Sequence, residues 1–227
     1  RIAFEAANDH MRNAIMKKNT TRAQLVRAAT HIKGAGLRLA SLNMLGGPGG
    51  SIEDDIETIK LNIECRVDHP LASLLQPYPM TDINDITREM GVATSGWDEF
   101  SPLYNRTSAM ARPDRHQFEN LHKFFPLVVR HPRLLPWARR AIRLRWMSRP
   151  YTWMYMLYSE WLVTEQNRLY HAVQGQRGLR TVPVVDYTRR VITRGLLRLF
   201  TVVAGKGATR LALRARLNDE RAASHMD

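Results

Sequence analysis

The chain has 227 residues and a mass of 26.1 kDa, enough for one large domain or two small ones, and a chain this long buries about 70% of its unfolded surface. Its 44% hydrophobic and 24% charged residues exclude collagen-like, low-complexity and fully disordered chains. A single cysteine, Cys65, excludes a disulfide framework and any cysteine-only metal or iron–sulfur site built by this chain alone, while a net charge of +13 points toward an anionic partner.

The chain enters at Arg1 directly into Ile2-Ala3-Phe4-Glu5, which reads as the end of a strand. The chain is therefore expected to be the C-terminal part of a longer protein. Asn8 can cap a short helix reaching about Lys18. Thr20 or Thr21 starts another, with Leu25, Ala28, Ala29 and Ile32 at helical spacing and Gly34 and Gly36 as its stop. Leu37 to Met44 is an apolar run of strand length. The loop Gly46-Gly47-Pro48-Gly49-Gly50 follows, and Ser51 caps a helix with Ile52, Ile56, Ile59 and Ile63 on one face and acids in its first turn. Cys65 falls opposite that isoleucine stripe. Ala72 to Gln76 is a further strand, ended by Pro77-Tyr78-Pro79. Thr81 then caps a helix with Ile83, Ile86 and Met90 facing inward, and Gly91 closes it.

Strand–loop–helix units in series specify an α/β fold with a parallel sheet, either open or part of a barrel. Ligands in such folds sit at the carboxyl ends of the strands, here Phe4-Glu5, Gly46 to Gly50 and Pro77 to Thr81. The glycine loop admits two readings. It can be a tight strand-to-helix turn, or it can bring backbone N–H groups close to a ligand. Its spacing matches neither a P-loop nor a dinucleotide fingerprint. Glu5 is either a solvated strand-end acid or an acceptor for a ribose or amino group. The eight histidines show no metal-ligand spacing, so metal ligands are expected to be none.

At these loops the sequence resembles the radical S-adenosylmethionine enzymes, particularly the cobalamin-binding branch. The matching segments are Ile2 to Asn8, Met16-Lys17-Lys18-Asn19-Thr20, Ala35-Gly36-Leu37, Met44 to Ser51 and Gln76-Pro77-Tyr78-Pro79-Met80-Thr81, in the family's order across residues 1 to about 92. The family's glycine between Phe4 and Glu5 is missing. Gly50 stands where the family has glutamate, and Met80 where it has glycine. The family's three-cysteine cluster motif, which lies upstream of these segments, is absent. The resemblance therefore implies the C-terminal half of a radical S-adenosylmethionine partial (β/α) barrel, from about its fourth to its sixth strand. The missing N-terminal half of the same protein would supply the 4Fe-4S cluster ligands. The cofactors implied are S-adenosylmethionine and the 4Fe-4S cluster, and, if the enzyme uses it, a cobalamin that delivers a methyl group. By the resemblance Glu5 would lie near the cofactor's ribose or amino-acid part, Gly46, Gly47 and Pro48 would back its adenine, and Pro77, Tyr78 and Thr81 would line the opening. The substrate would be a small molecule or lipid-like. The chain alone would be inactive.

The charge is uneven: residues 1–100 carry 11 Lys+Arg against 13 Asp+Glu, and residues 101–227 carry 23 against 8. The expected organisation is a half barrel over 1–92, a connection over 93–114 rich in Ser, Gly and Pro, and a mostly helical basic region over 115–227. Phe118, Leu121, His122, Phe125, Val128 and Val129 give one helical face. Tyr151 to Tyr170 is aromatic-rich, but its uninterrupted apolar stretch is too short to span a membrane. Across Val184 to Ala204, Arg190, Arg194 and Arg198 form a stripe opposite apolar residues. That pattern fits a helix lying on a membrane surface, and it fits equally a packed helix with solvated arginines. Nucleic acid is disfavoured, because no binding motif accompanies the charge. The alternative to the enzyme reading is a non-catalytic α/β remnant whose basic helices bind anionic membrane or nucleic acid. The expected location is cytoplasmic, and peripheral at the membrane if the stripe of Arg190, Arg194 and Arg198 lies on its surface.

Overall fold

The computed structural model describes residues 1–92 and 107–173, without the side chains of residues 160 and 166–173. The helix expected at 184–204, with Arg190, Arg194 and Arg198, lies outside the described residues, as does most of the 93–114 connection. The chain divides into two compact units, Arg1–Tyr158 and Ser159–Asp227. The first holds the sheet and the helices packed on it.

Three parallel strands, β1 (Ile2–Glu5), β2 (Ala40–Leu45) and β3 (His69–Leu74), lie side by side in chain order. Helix α1 (Arg22–Gly34) connects the first pair and α2 (Ile52–Glu64) the second. The order follows from the sequence pattern: each strand-length apolar run is followed by a capped helix long enough to return the chain to the start of the next strand. Thr21 caps α1 and Ser51 caps α2, each in a reciprocal box with the residue three positions on, Gln24 and Asp54. Such caps are worth about 1 kcal/mol each. The short helix expected after Asn8 is a single π-helical turn, Met11–Ile15, whose first N–H does bond the Asn8 side chain. It stops early because Arg12 is fully buried and its guanidinium donates to the carbonyls of Ala6 and Thr20, fixing the segment as a compact knot.

Strand β3 starts three residues before the expected Ala72. Pro70 is accommodated in it because β3 is an edge strand, where proline costs no ladder bond. Its open edge is covered by α4 (Arg115–Arg130), which packs on β3 and α2. His122, on α4, bonds the edge carbonyl of Ala72 at 2.9 Å. Phe118, Leu121, Phe125 and Val128 are buried as expected, and so are Phe124, Asn120 and Lys123, because α4 is enclosed on several sides.

The core joins Ile56 and Ile59 of α2, Leu45 and Leu74 of the strands and the phenylalanines of α4. Cys65 belongs to this core, contrary to its expected place opposite the isoleucines, because it lies past the helix end, where the chain turns inward. Helix α3 (Asp82–Glu89) has Ile83 and Ile86 partly buried, but Met90 is 45% exposed and Asn84 and Thr87 take the inner positions. Beyond α4 come a 3-10 turn (Pro132–Leu134), α5 (Leu135–Ala141), a second 3-10 turn (Arg145–Met147) and α6 (Ser148–Val173).

The two faces of the sheet differ. Ser41 and Asn43 are buried on one face and form a closed polar triangle with Asn62 of α2: Ser41 Oγ donates to Asn62 Oδ1 (2.5 Å), Asn62 Nδ2 to Asn43 Oδ1 (2.8 Å), and Asn43 Nδ2 to Ser41 Oγ (2.9 Å). On the other face Ala3, Leu42 and Leu71 form one cross-strand row, and both leucines are 40% exposed. Among the described residues no helix is long and apolar enough to cross a membrane.

Candidate functional site at the carboxyl edge of the sheet

Because the three strands are parallel, their carboxyl ends share one edge, and the loops after β1, β2 and β3 emerge there. Each loop has a left-handed residue: Glu5 (φ 58°) and Gly46 (φ 76°) at the strand ends, and Met80 (φ 66°) at the far end of the third loop, just before the Thr81 cap. For Glu5 and Met80 this conformation costs about 1–2 kcal/mol relative to glycine's free choice. At β1 it coincides with a bulge between Ala3 and Glu5, which turns the Glu5 carboxylate away from the ladder. Glu5 Oε1 accepts an ion pair from Lys18 Nζ at 3.0 Å, while the adjacent Lys17 pairs with Asp82 at the start of α3. The Lys17-Lys18 pair thereby ties the first loop to the third.

The glycine loop after β2 is packed from within. A Cβ at Gly46 would stand 2.7 Å from the Phe118 ring, and one at Gly47 2.5 Å from the Met11 sulfur. Gly46, Gly47 and Pro48 are all buried. The Gly46 N–H donates to both oxygens of Asp55, at 3.1 and 3.2 Å. The Gly47 carbonyl accepts from Arg112 Nη1 at 2.7 Å, and Arg112 is held in turn by both oxygens of Asp114 and lies over the Phe118 ring. Burial raises the Asp55 carboxyl to about 7, with the Gly46 bond and the Arg112 charge opposing the rise. The tight-turn reading of this loop therefore has a concrete basis. Its glycines accommodate Phe118 and Met11.

The loop after β3 is the exposed one. Pro77 is buried, Tyr78 is exposed and Met80 is 96% exposed. The Thr81 hydroxyl donates to the Tyr78 carbonyl at 2.6 Å and accepts from the Asn84 N–H, so it shapes the loop and caps α3 at once. The Gln76 side chain ties the loop to the returning chain, donating to the Thr107 carbonyl and accepting from the Ala109 N–H.

The sequence-derived residues thus share one edge, with Tyr78 exposed, Glu5 mostly covered and paired with Lys18, and Gly46, Gly47 and Thr81 acting as the frame. Asp55, Arg112 and Met11 were missed. Asp55 gave no signal, because three consecutive acids at a helix start read as dipole-favoured surface charge. Arg112 lies across a long connection from the carbonyl it binds. A shallow groove runs along α1 between Asp9, Thr21 and His31, and it includes none of the strand-end residues. Among the described residues no three His, Cys, Asp or Glu side chains converge as metal ligands. Cys65 is buried, and burial pushes its thiol up to about 11, so it does not supply a thiolate. A scan against known family models finds no match, and a search of curated proteins finds none either.

Proposed function

We propose that this chain is the cofactor- and substrate-facing C-terminal half of a radical S-adenosylmethionine enzyme, with the cofactor at the carboxyl edge of β1 to β3. The observation that carries the reading is the left-handed backbone at Met80, the position at which the resembled motif has glycine. Two further features support it. The strands run in the sequential order of a barrel segment, and the row Ala3, Leu42 and Leu71 is uncovered, as the inner face of an incomplete barrel would be.

The residues present do not fit the 4Fe-4S cluster, since the one thiol is buried and protonated. Its ligands would come from the N-terminal half. The reading for the organic cofactor rests on the Glu5 carboxylate and the exposed Tyr78 at the same strand edge. Glu5 and the strand-edge loops would hold S-adenosylmethionine, which would supply radical chemistry on one-electron reduction by the cluster with release of methionine; cobalamin would supply a methyl group where the enzyme uses it. Glu5 accepts hydrogen bonds from ribose hydroxyls or the amino group, and Lys18 orients its carboxylate. The buried Gly46-Gly47-Pro48 turn, filled from within by Phe118 and Met11, would back the site from beneath, and Tyr78 would give its exposed rim over the buried Pro77. The substrate would enter across that rim.

The test is the intact mass and iron content of the native protein. A mass far above 26.1 kDa with tightly bound iron is expected. A mass near that value without iron would sink the enzyme reading and favour the non-catalytic one. With the complete protein, Glu5→Gln should weaken S-adenosylmethionine binding at least tenfold in equilibrium dialysis, the loss of one charge-assisted hydrogen bond.

A further inference from the structure

Between His131 and Pro150 the sequence has six arginines and no acid. These residues form the 3-10 turn, α5, the second 3-10 turn and the start of α6. They pack against α4, and together they are called the ledge. Its inner residues are firmly anchored: Ala138, Ala141 and Ile142 are buried, Asn120 Nδ2 donates to the Ile142 carbonyl at 3.0 Å, and the Tyr151 hydroxyl donates to the Ala141 carbonyl at 3.0 Å.

Besides His131 and the prolines Pro132, Pro136 and Pro150, the exposed residues are cationic or large and apolar. Trp146 is 76% exposed and Trp137 52% exposed, with Leu134 and Leu144 exposed beside them in sequence. Arg133, Arg140, Arg143 and Arg149 are exposed too, and among the described residues they make no side-chain hydrogen bond or ion pair. Arg139 alone is paired, with Glu53 of α2. Trp137 is held by an edge contact to Phe124, with ring centroids 5.4 Å apart.

An exposed tryptophan amid unpaired arginines is unfavourable against water and unnecessary for packing. The combination matches one environment closely. Indoles partition to the boundary between headgroups and acyl chains, and arginines pair with anionic headgroups just above it. A nucleic acid would use the charge but would leave the leucines and the second indole without a role.

We infer that the ledge from His131 to Arg149 is a docking surface for an anionic lipid bilayer, with Trp146 as its inserted residue. The inference stands apart from the enzyme reading, since none of these residues belongs to the strand-end site.

The test uses the full chain, vesicles of phosphatidylcholine alone, and vesicles of phosphatidylcholine mixed with phosphatidylserine. Arginines beyond residue 173 would also attract anionic vesicles, so the readout is Trp146 itself. Quenching by lipids brominated on their acyl chains is compared between the native chain and Trp146→Phe. The expected result is binding to the mixed vesicles only, with quenching that is largely lost in Trp146→Phe. The variant Arg140→Gln/Arg143→Gln/Arg149→Gln, with an unchanged circular dichroism spectrum, should bind roughly 100-fold more weakly. Binding without quenching of Trp146, or binding indifferent to the three arginines, would overturn the inference in favour of other basic residues. Absence of vesicle binding would overturn it outright, and tight binding to single-stranded RNA in that case would assign the charge to nucleic acid.

Discussion

The loops after β2 and β3 start from neighbouring parallel strands and each turns through a left-handed residue, yet they are built in opposite ways. The first is filled from inside by Phe118 and Met11 and tied by Asp55 and Arg112. The second turns through Met80 in open solvent. A positive φ can thus arise from packing, which leaves no room for a side chain, or from the path of the chain alone. The two cases respond differently to substitution.

The largest effect should come from Gly46→Ala. It adds a left-handed penalty of about 1–2 kcal/mol to an overpacking penalty of about 1–3 kcal/mol against the Phe118 ring, a loss on the order of 3 kcal/mol in urea unfolding. In a Phe118→Leu background the added loss from Gly46→Ala should shrink to the backbone part. An unchanged loss there would mean that the ring does not define this loop.

A second effect separates the packed loop from the edge cover on α4 by pH. Burial raises Asp55 to about 7, so the unfolded chain ionises first. Its contribution is therefore complete below its ordinary value near 3.8 and is lost as pH rises through about 7. Burial lowers His122 to about 4, with the neighbouring Lys123 charge adding to this and the Ala72 bond opposing it. The unfolded histidine protonates first, so its contribution is complete above 6.5 and is lost as pH falls toward 4. The two slopes oppose each other between about pH 4 and 6.5, and stability there should be nearly flat. Asp55→Asn removes one slope. The variant should lose on the order of 1 kcal/mol per pH unit on acidification across that window. Parallel pH profiles for the native chain and the variant would show that Asp55 does not titrate in it.

The smallest effect should come from Met80→Gly. Relief of left-handed strain, less the added freedom of the unfolded chain, gives a stabilisation of at most about 1 kcal/mol. A destabilisation would mean that the exposed Met80 side chain makes contacts that hold the loop.

Local signals were legible wherever the physics is local. The Thr21 and Ser51 caps, the isoleucine spacing of α2 and the glycine stops of α1 and α3 all appear where the sequence puts them, because capping and periodicity depend on neighbours within a turn. The start of β3 did not, since whether Pro70 breaks a strand depends on whether that edge is paired.

From the sequence alone came the strand–loop–helix order, the shared edge of Glu5, Gly46 and Tyr78, and the basic character of the second half. Contacts across 50 or more residues decided the rest: Phe118 against Gly46, Arg112 on the Gly47 carbonyl, His122 on the edge of β3. Burial decided it too. It is set by the whole packed chain, and it makes Asp55 a near-neutral acid while leaving Trp146 in solvent.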